Sequence, residues 1–266
     1  MLKDKIIIGI SGKKQAGKST LADYLGCWSW VNYNNNYATH NLFSCCYDSQ
    51  DRLITQEHAV GIVPSCVSWN HEQEYTRRFS VVVLLSFADY LKRICIDVLG
   101  LDYEQCYGSD KMKDSLTKYT WEKFSDKIRA EKTGYMSGRD IMQVMGTQMF
   151  REMFDDNVWV DATFNLIKQS KCNVAIIPDV RFPSEVNAII DNGGYIIRLT
   201  RNLYNDNHVS EMALDMFNWN EHVESGQVCV IDNNNISMVE KNKIATDFFS
   251  KICALNGLDG LLPYCY

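Results

Sequence analysis

Apolar residues in this chain come in short unbroken runs set between longer stretches of mixed polarity, the pattern of strands buried on both faces. Five runs rich in β-branched residues stand out: Lys5 to Ile10, Val81 to Ser86, Asn173 to Pro178, Tyr195 to Leu199 and Val228 to Ile231. Each leads towards a helix-like segment, with helix starts near Lys18, Asp89, Pro183, Ser210 and Ser237. Parallel neighbours need a crossover connection and a helix supplies it, so this alternation predicts an open parallel α/β sheet with helices on both faces.

Two regions break the alternation. Trp28 to Ser80 is Asn-rich at Asn32 to Asn36, with Trp and Tyr interspersed, and holds hairpin-like pieces at Asn41 to Cys46 and Arg52 to Thr55. It reads as an insertion with some β structure. Asp102 to Ser170 holds a polar loop and then two helix patterns, Arg139 to Phe154 and Trp159 to Gln169. With four prolines, no internal repeat and no low-complexity linker, residues 1–266 read as one domain carrying insertions at 28–80 and 102–170.

Composition narrows the function. A hydrophobic share of 46% supports a real core, and a net charge of −6 gives no general attraction to nucleic acid, so any phosphate must be handled in a local basic pocket. Of ten cysteines only Cys45 and Cys46 are adjacent, and neither a C-x-x-C pair nor zinc-type spacing occurs. The N-terminus runs into a strand without a signal-peptide pattern, and the apolar stretch Val81 to Leu85 is too short to span a bilayer. The expectation is a cytoplasmic protein with reduced thiols, no membrane partner and no direct nucleic-acid partner.

The strongest local signal is Gly12-Lys13-Lys14-Gln15-Ala16-Gly17-Lys18-Ser19, which fits G-x-x-x-x-G-K-[ST] after a predicted strand and before a predicted helix. Gly12 and Gly17 let the backbone turn its N–H groups inward around a phosphate, and the helix behind them points its positive end the same way. Lys18 is placed to neutralise β- and γ-oxygens, and the Ser19 hydroxyl to ligate Mg²⁺. Residues Gly12 to Thr20 therefore form the expected ATP contact.

Asp179, at the tip of the third run, is the second candidate Mg²⁺ ligand, and Arg181 two residues on could contact the transferred phosphate; the plainer alternative is a helix cap with its ion pair. Strand ends face the ligand in open α/β sheets, which brings in Phe87 to pack on a base and Asp89 or Lys92 to bond it. On a helix, Arg139, Gln143, Thr147 and Arg151 recur every four residues as one slowly drifting polar stripe. Two guanidinium groups suit an acceptor phosphate and an amide suits a base edge; an ordinary wet helix face is the alternative. After the fourth run, a polar excursion over about 201–211 suits a closing lid, with Arg201 able to reach adenine or phosphates, Arg198 bracing the sheet and His208 structural.

In order and spacing the motifs resemble the phage-type deoxynucleoside monophosphate kinases. They are Gly12 to Ser19, Ser86 to Lys92, Tyr107 to Lys111, Thr117 to Glu122, Gly138 to Thr147, Asp156 to Val160, Asp179 to Glu185, Gly193-Gly194 and Asp206 to Glu211. The resemblance implies a three-layer P-loop fold with a five-stranded parallel sheet plus acceptor-binding and lid insertions. It also implies ATP and Mg²⁺ as cofactors, a deoxynucleoside monophosphate (dNMP) as acceptor, and the host cytoplasm as location if the chain is phage-encoded. The resemblance also implies that Arg139, Gln143, Thr147 and Arg151 lie near the dNMP and Asp179 near the metal; the residues themselves make Lys18, Arg151, Arg181 and Arg201 the expected catalytic groups. Trp28 to Ser80 carries no motif that matches. A different phosphorylated acceptor, of the phosphomevalonate or dephospho-coenzyme A type, and a non-catalytic ATP-binding switch stay open, as does a homodimer.

Overall fold

Six consecutive buried residues, Ile6–Ser11, form the strand on which the sheet is built. In the computed structural model, residues 5–34, 82–129, 131–170, 172–202 and 212–258 are described. In chain order the elements begin with β1 (Ile6–Ser11), α1 (Lys18–Asn34), β2 (Val82–Leu84), and α2 (Asp89–Arg93), which runs on as a π-helical stretch at Ile94–Val98. Then come α3 (Tyr103–Tyr107), α4 (Asp110–Lys113), β3 (Leu116–Thr120), α5 (Asp126–Arg129), β4 (Tyr135–Ser137), and α6 (Gly138–Gln143), which runs on as a π-helix at Val144–Arg151. The chain continues with α7 (Val158–Gln169), β5 (Val174–Val180), α8 (Pro183–Asp191), β6 (Tyr195–Leu199), α9 (Asn220–Glu224), β7 (Val228–Ile231) and α10 (Met238–Leu255). Two compact units result, Met1–Ser86 with Ile167–Tyr266, and Phe87–Leu166.

The first unit carries a five-stranded sheet in the order β2-β5-β1-β6-β7, with every pair parallel. This is the α/β architecture expected of the five apolar runs. On one face Ile6, Ile8 and Ile10 of β1 pack with Leu21 and Leu25 of α1 and with Ala245, Phe249 and Ile252 of α10. Each such side chain stabilises the fold by roughly 1.5–3 kcal/mol through burial, so Ile8→Ala should cost about 2–5 kcal/mol. At Gly9, an added Cβ would meet Ile189 of α8 and Ile196 of β6 at 2.7 Å, so a bare backbone there admits the neighbouring side chains. The start of α10 is set by a capping box, in which Ser237 Oγ accepts from Glu240 N–H at 3.2 Å and the Glu240 carboxylate accepts from Ser237 N–H at 2.9 Å.

The second unit is mostly helical, with an antiparallel pair formed by β3 and β4. Trp159 of α7 anchors it: the indole N–H donates to Gly146 O at 3.0 Å and the ring lies 4.8 Å from that of Phe150. Ser137 and Asp140 make a second capping box at the start of α6. No helix among the described residues is long and apolar enough to cross a membrane.

Three expectations are corrected. The helix after the glycine-rich loop continues to Asn34 and so takes up the first residues assigned to the 28–80 insertion. The remainder, with its hairpin-like pieces, lies outside the described residues, as do 203–211 of the lid, His208 and the helix start at Ser210. The stretch read as a polar loop after Asp102 holds α3, α4 and the β3–β4 pair; its strands are largely exposed, so no apolar alternation announces them. Finally, Arg139 to Phe154 is not one α-helix. From Val144 the ladder widens to i→i+5, as in Glu152 N–H to Thr147 O at 2.9 Å. Four residues then fall short of a full turn, so the stripe through Gln143, Thr147 and Arg151 is re-registered about the axis.

Candidate active site

In the first unit, β1 ends at Ser11 and α1 begins at Lys18, and the six residues between them make a tight loop. Gly17 has φ of +92°, a conformation that suits glycine, and Gln15 sits at +58°. Lys18 is buried, and its ammonium donates to Gly12 O at 2.6 Å and Lys13 O at 2.8 Å, bracing the loop with two charge-assisted bonds. Behind the loop, Asn233 Nδ2 donates to Ala16 O at 2.9 Å while Asn233 Oδ1 accepts from Arg201 N–H at 2.9 Å. One buried amide thus ties the loop to the segment after β6. Lys13 is ion-paired with Asp215 at 2.5 Å. Ser19 is exposed on the first turn of α1, and Thr20, Lys14 and the backbone of Ala16 complete the candidate nucleotide contact.

Parallel pairing sets the carboxylate. Ser11 pairs with Val180, so Asp179 stands one residue before the level at which β1 enters the loop. Its Oδ2 accepts from Ser86 Oγ at 2.5 Å. The turn beyond it is held by Glu185, whose buried carboxylate accepts from Arg181 N–H at 2.6 Å and Phe182 N–H at 3.1 Å. Arg198 projects from β6 to donate to Ser11 Oγ at 3.0 Å, with its guanidinium 5.1 Å from the centre of the Trp219 ring. Burial pushes its pKa down from the ordinary arginine value, and the charge of Asp215 partly offsets that.

In the second unit the candidates form two groups. Asp89 and Lys92, on α2, both meet Tyr107 of α3: its hydroxyl makes a long 3.5 Å contact to Asp89, and the Lys92 ammonium lies 4.3 Å from its ring centre. Tyr103 stacks on that ring at 4.7 Å. Burial first, then the Asp89 charge, raise the Tyr107 pKa, so the hydroxyl stays protonated. Phe87 is only 3% exposed, which leaves little open face for a base to stack on. Arg139 is gripped by α4 and the residue after it, with Nε donating to Asp114 at 2.6 Å and Nη2 to Asp110 at 2.8 Å. Burial works against its charge, but the bonds to Asp114 and then Asp110 outweigh it and raise the pKa. Gln143, Thr147 and Arg151 are half-buried. Nearby in sequence, Gln148 Oε1 is buried with no hydrogen-bond partner among the described residues, as is Thr163 Oγ1.

A family model described as deoxynucleotide monophosphate kinase matches residues 5–242, a span that holds both groups of candidate residues. The chain belongs to the deoxynucleotide monophosphate kinase family. It is similar to the deoxynucleoside-5'-monophosphate kinase of Escherichia phage T5, with 25% identity over 193 residues covering 68% of this chain and 70% of that protein. It is also similar to a protein of Acanthamoeba polyphaga mimivirus named as a candidate deoxynucleotide monophosphate kinase, with 25% identity over 167 residues, 57% of this chain and 75% of that one. The deoxynucleotide monophosphate kinase family is one of phosphate-transferring enzymes, and this chain is an enzyme of that kind. The alternatives of another phosphorylated acceptor or a non-catalytic switch find no support in these comparisons.

Within this kinase, sequence reasoning passed over Asn233, Asp215, Ser86 as a partner of Asp179, and Tyr107. The signal for Asn233 was present. Asp232-Asn233-Asn234-Asn235 follows a buried parallel strand, and polar residues just beyond such strand ends border the ligand crevice. For Asp215 there was no local signal, because its partner Lys13 lies some two hundred positions earlier.

Proposed function

We propose that the first unit binds ATP with Mg²⁺ through Gly12 to Thr20, and that the second unit holds the dNMP acceptor through Arg139, Gln143, Thr147 and Arg151, with Asp89 and Lys92 near its base. The observation that supports the donor side most strongly is the pairing of Ser11 with Val180, one residue after Asp179, at the entry to a loop braced by Lys18. Ser19 and Asp179 offer two oxygen ligands, the small protein share that Mg²⁺ takes when it arrives on a nucleotide. When bound, Mg²⁺ neutralises charge on the β- and γ-oxygens.

An oxygen of the dNMP phosphate attacks the γ-phosphorus in line. A P–O bond to the acceptor forms as the bond to the β-phosphate oxygen breaks, leaving ADP and a deoxynucleoside diphosphate. The attacking oxygen is already anionic, so no strong general base is required, and His208 needs no part in the step. Lys18 exchanges its two carbonyl partners for phosphate oxygens. Arg151, Arg181 and Arg201 supply further positive charge where the transition state spreads its negative charge. A phosphate that must be aligned to a few tenths of an ångström is served by guanidinium groups held in place beforehand, as Asp110 and Asp114 hold Arg139.

The test follows ADP release from Mg-ATP with each dNMP and each ribonucleoside monophosphate in turn. Release that depends on one or more dNMPs, with the diphosphate recovered, is the expected result and gives base and sugar preference together. A folded protein that binds ATP yet releases no ADP with any dNMP would overturn the proposal.

A further inference from the structure

Among the described residues, Lys241, in the first turn and a half of α10, is the one buried charged residue near the phosphate loop whose chemistry the reading above leaves unused. It is 6% exposed, and a methyl group placed on Gly17 would lie 3.7 Å from its Nζ. Among the described residues no carboxylate pairs with it and no hydrogen bond is made by its ammonium. The charge it feels most is another cation, Arg201, whose backbone is tied through Asn233 to Ala16 of the same loop. Burial first, then Arg201, push its pKa below the ordinary lysine value.

A buried ammonium beside a second cation is costly, and an anion that arrives from outside removes the cost. The stem alone does not explain the position. A lysine that buries its methylenes for packing carries its charged head outward to water, whereas here the head itself is turned in against the loop. Gly17 belongs to the turn whose N–H groups face the phosphates in a loop of this kind.

We infer that Lys241 is a donor-binding residue that bonds a phosphate oxygen of the nucleotide on the Gly17 side of the loop, acting with Arg201 as a second pair of positive charges beside Lys18. The inference rests on the loop being the ATP site. It implies that the donor is recognised by its charged chain through α10 as well as through the P-loop, so the α10 contact should be felt by ATP and ADP and not by adenosine.

The experiment compares the wild type, Lys241→Met and Lys241→Arg by equilibrium binding of Mg-ATP, Mg-ADP and adenosine, with thermal melting of each protein alone. Lys241→Met should weaken ATP and ADP binding about tenfold or more, leave adenosine affinity and the dNMP KM unchanged, and melt no lower than the wild type in the absence of nucleotide. Lys241→Arg should recover part of the loss. A Lys241→Met protein that binds ATP as tightly as the wild type would overturn the inference. So would one that loses ATP and adenosine affinity by the same factor, because a merely structural lysine would act on both. A wild-type protein that melts cooperatively yet binds no ATP would overturn the donor-site reading itself, and this inference with it.

Discussion

The loop at Gly12–Ser19 holds its shape largely with its own backbone, whereas the arginine that opens α6 is held by carboxylates from a separate helix and its flank. Lys18 bonds two carbonyls within six residues of itself. Arg139 bonds Asp110 and Asp114, more than twenty positions away. The first arrangement follows from a short motif, and any chain carrying that motif between a strand and a helix is set to form it. The second depends on how α4 and α6 pack. A site made from backbone is therefore written locally, and one made from paired side chains is written across the chain. The same difference should appear in what mutations do.

The largest effect is expected at the backbone-built site. Lys18→Ala should lower kcat by about a hundredfold to a thousandfold or more while the circular dichroism spectrum is retained; substantial activity in that variant would break the comparison outright. Next comes Asp179→Asn, which keeps the partner of Ser86 but weakens the proposed metal ligand. Its kcat should fall roughly a hundredfold, with the Mg²⁺ concentration needed for half-maximal rate rising. On the side-chain-built site, Arg139→Ala should raise the dNMP KM about tenfold and leave the Mg-ATP KM unchanged. A fall in melting temperature with both KM values intact would show that Asp110 and Asp114 hold Arg139 for the fold alone.

Smaller effects sharpen the picture within the first unit. Burial pushes the Asp23 carboxyl on α1 up to about 6 from an ordinary 3.8. The folded protein thus holds that proton more tightly than the unfolded chain does. Stability should decline as pH rises from about 4 to about 6 and stay lower above that window. Asp23→Asn should flatten the decline and stabilise the protein at pH 8 by about 1 kcal/mol, the value being reduced because the group is partly open to solvent. The smallest effect belongs to Lys13–Asp215, whose carboxylate is 42% exposed. Asp215→Asn should cost about 0.5 kcal/mol in urea unfolding at low salt, and less at high salt.

Much of the fold was legible because its signals are local or periodic. β1 is apolar at almost every position, being covered on both faces, and it reads as a strand without any knowledge of its neighbours. Ser237 and Glu240 announce the start of α10 three residues apart. The π-helix at Val144–Arg151 was not legible. Its residues have the periodicity of an α-helix, while the indole N–H on Gly146 O and the close approach of Leu91, 2.7 Å from where a Gly146 Cβ would stand, come from other elements. Phe87 was read as a base platform from its place at a strand end, yet the packing of the folded chain buries it.

By itself the sequence determined the parallel sheet, the glycine-rich turn between β1 and α1 and the carboxylate at the end of β5, because apolar continuity, glycine spacing and strand-end position act over a few residues. Tertiary structure alone decided which distant polar groups meet. The pairing of Ser86 with Asp179 spans 93 positions and that of Asn233 with Ala16 spans 217. Electrostatic and hydrogen-bonding partners are chosen by distance in space, and that distance exists only once strands have paired and helices have packed.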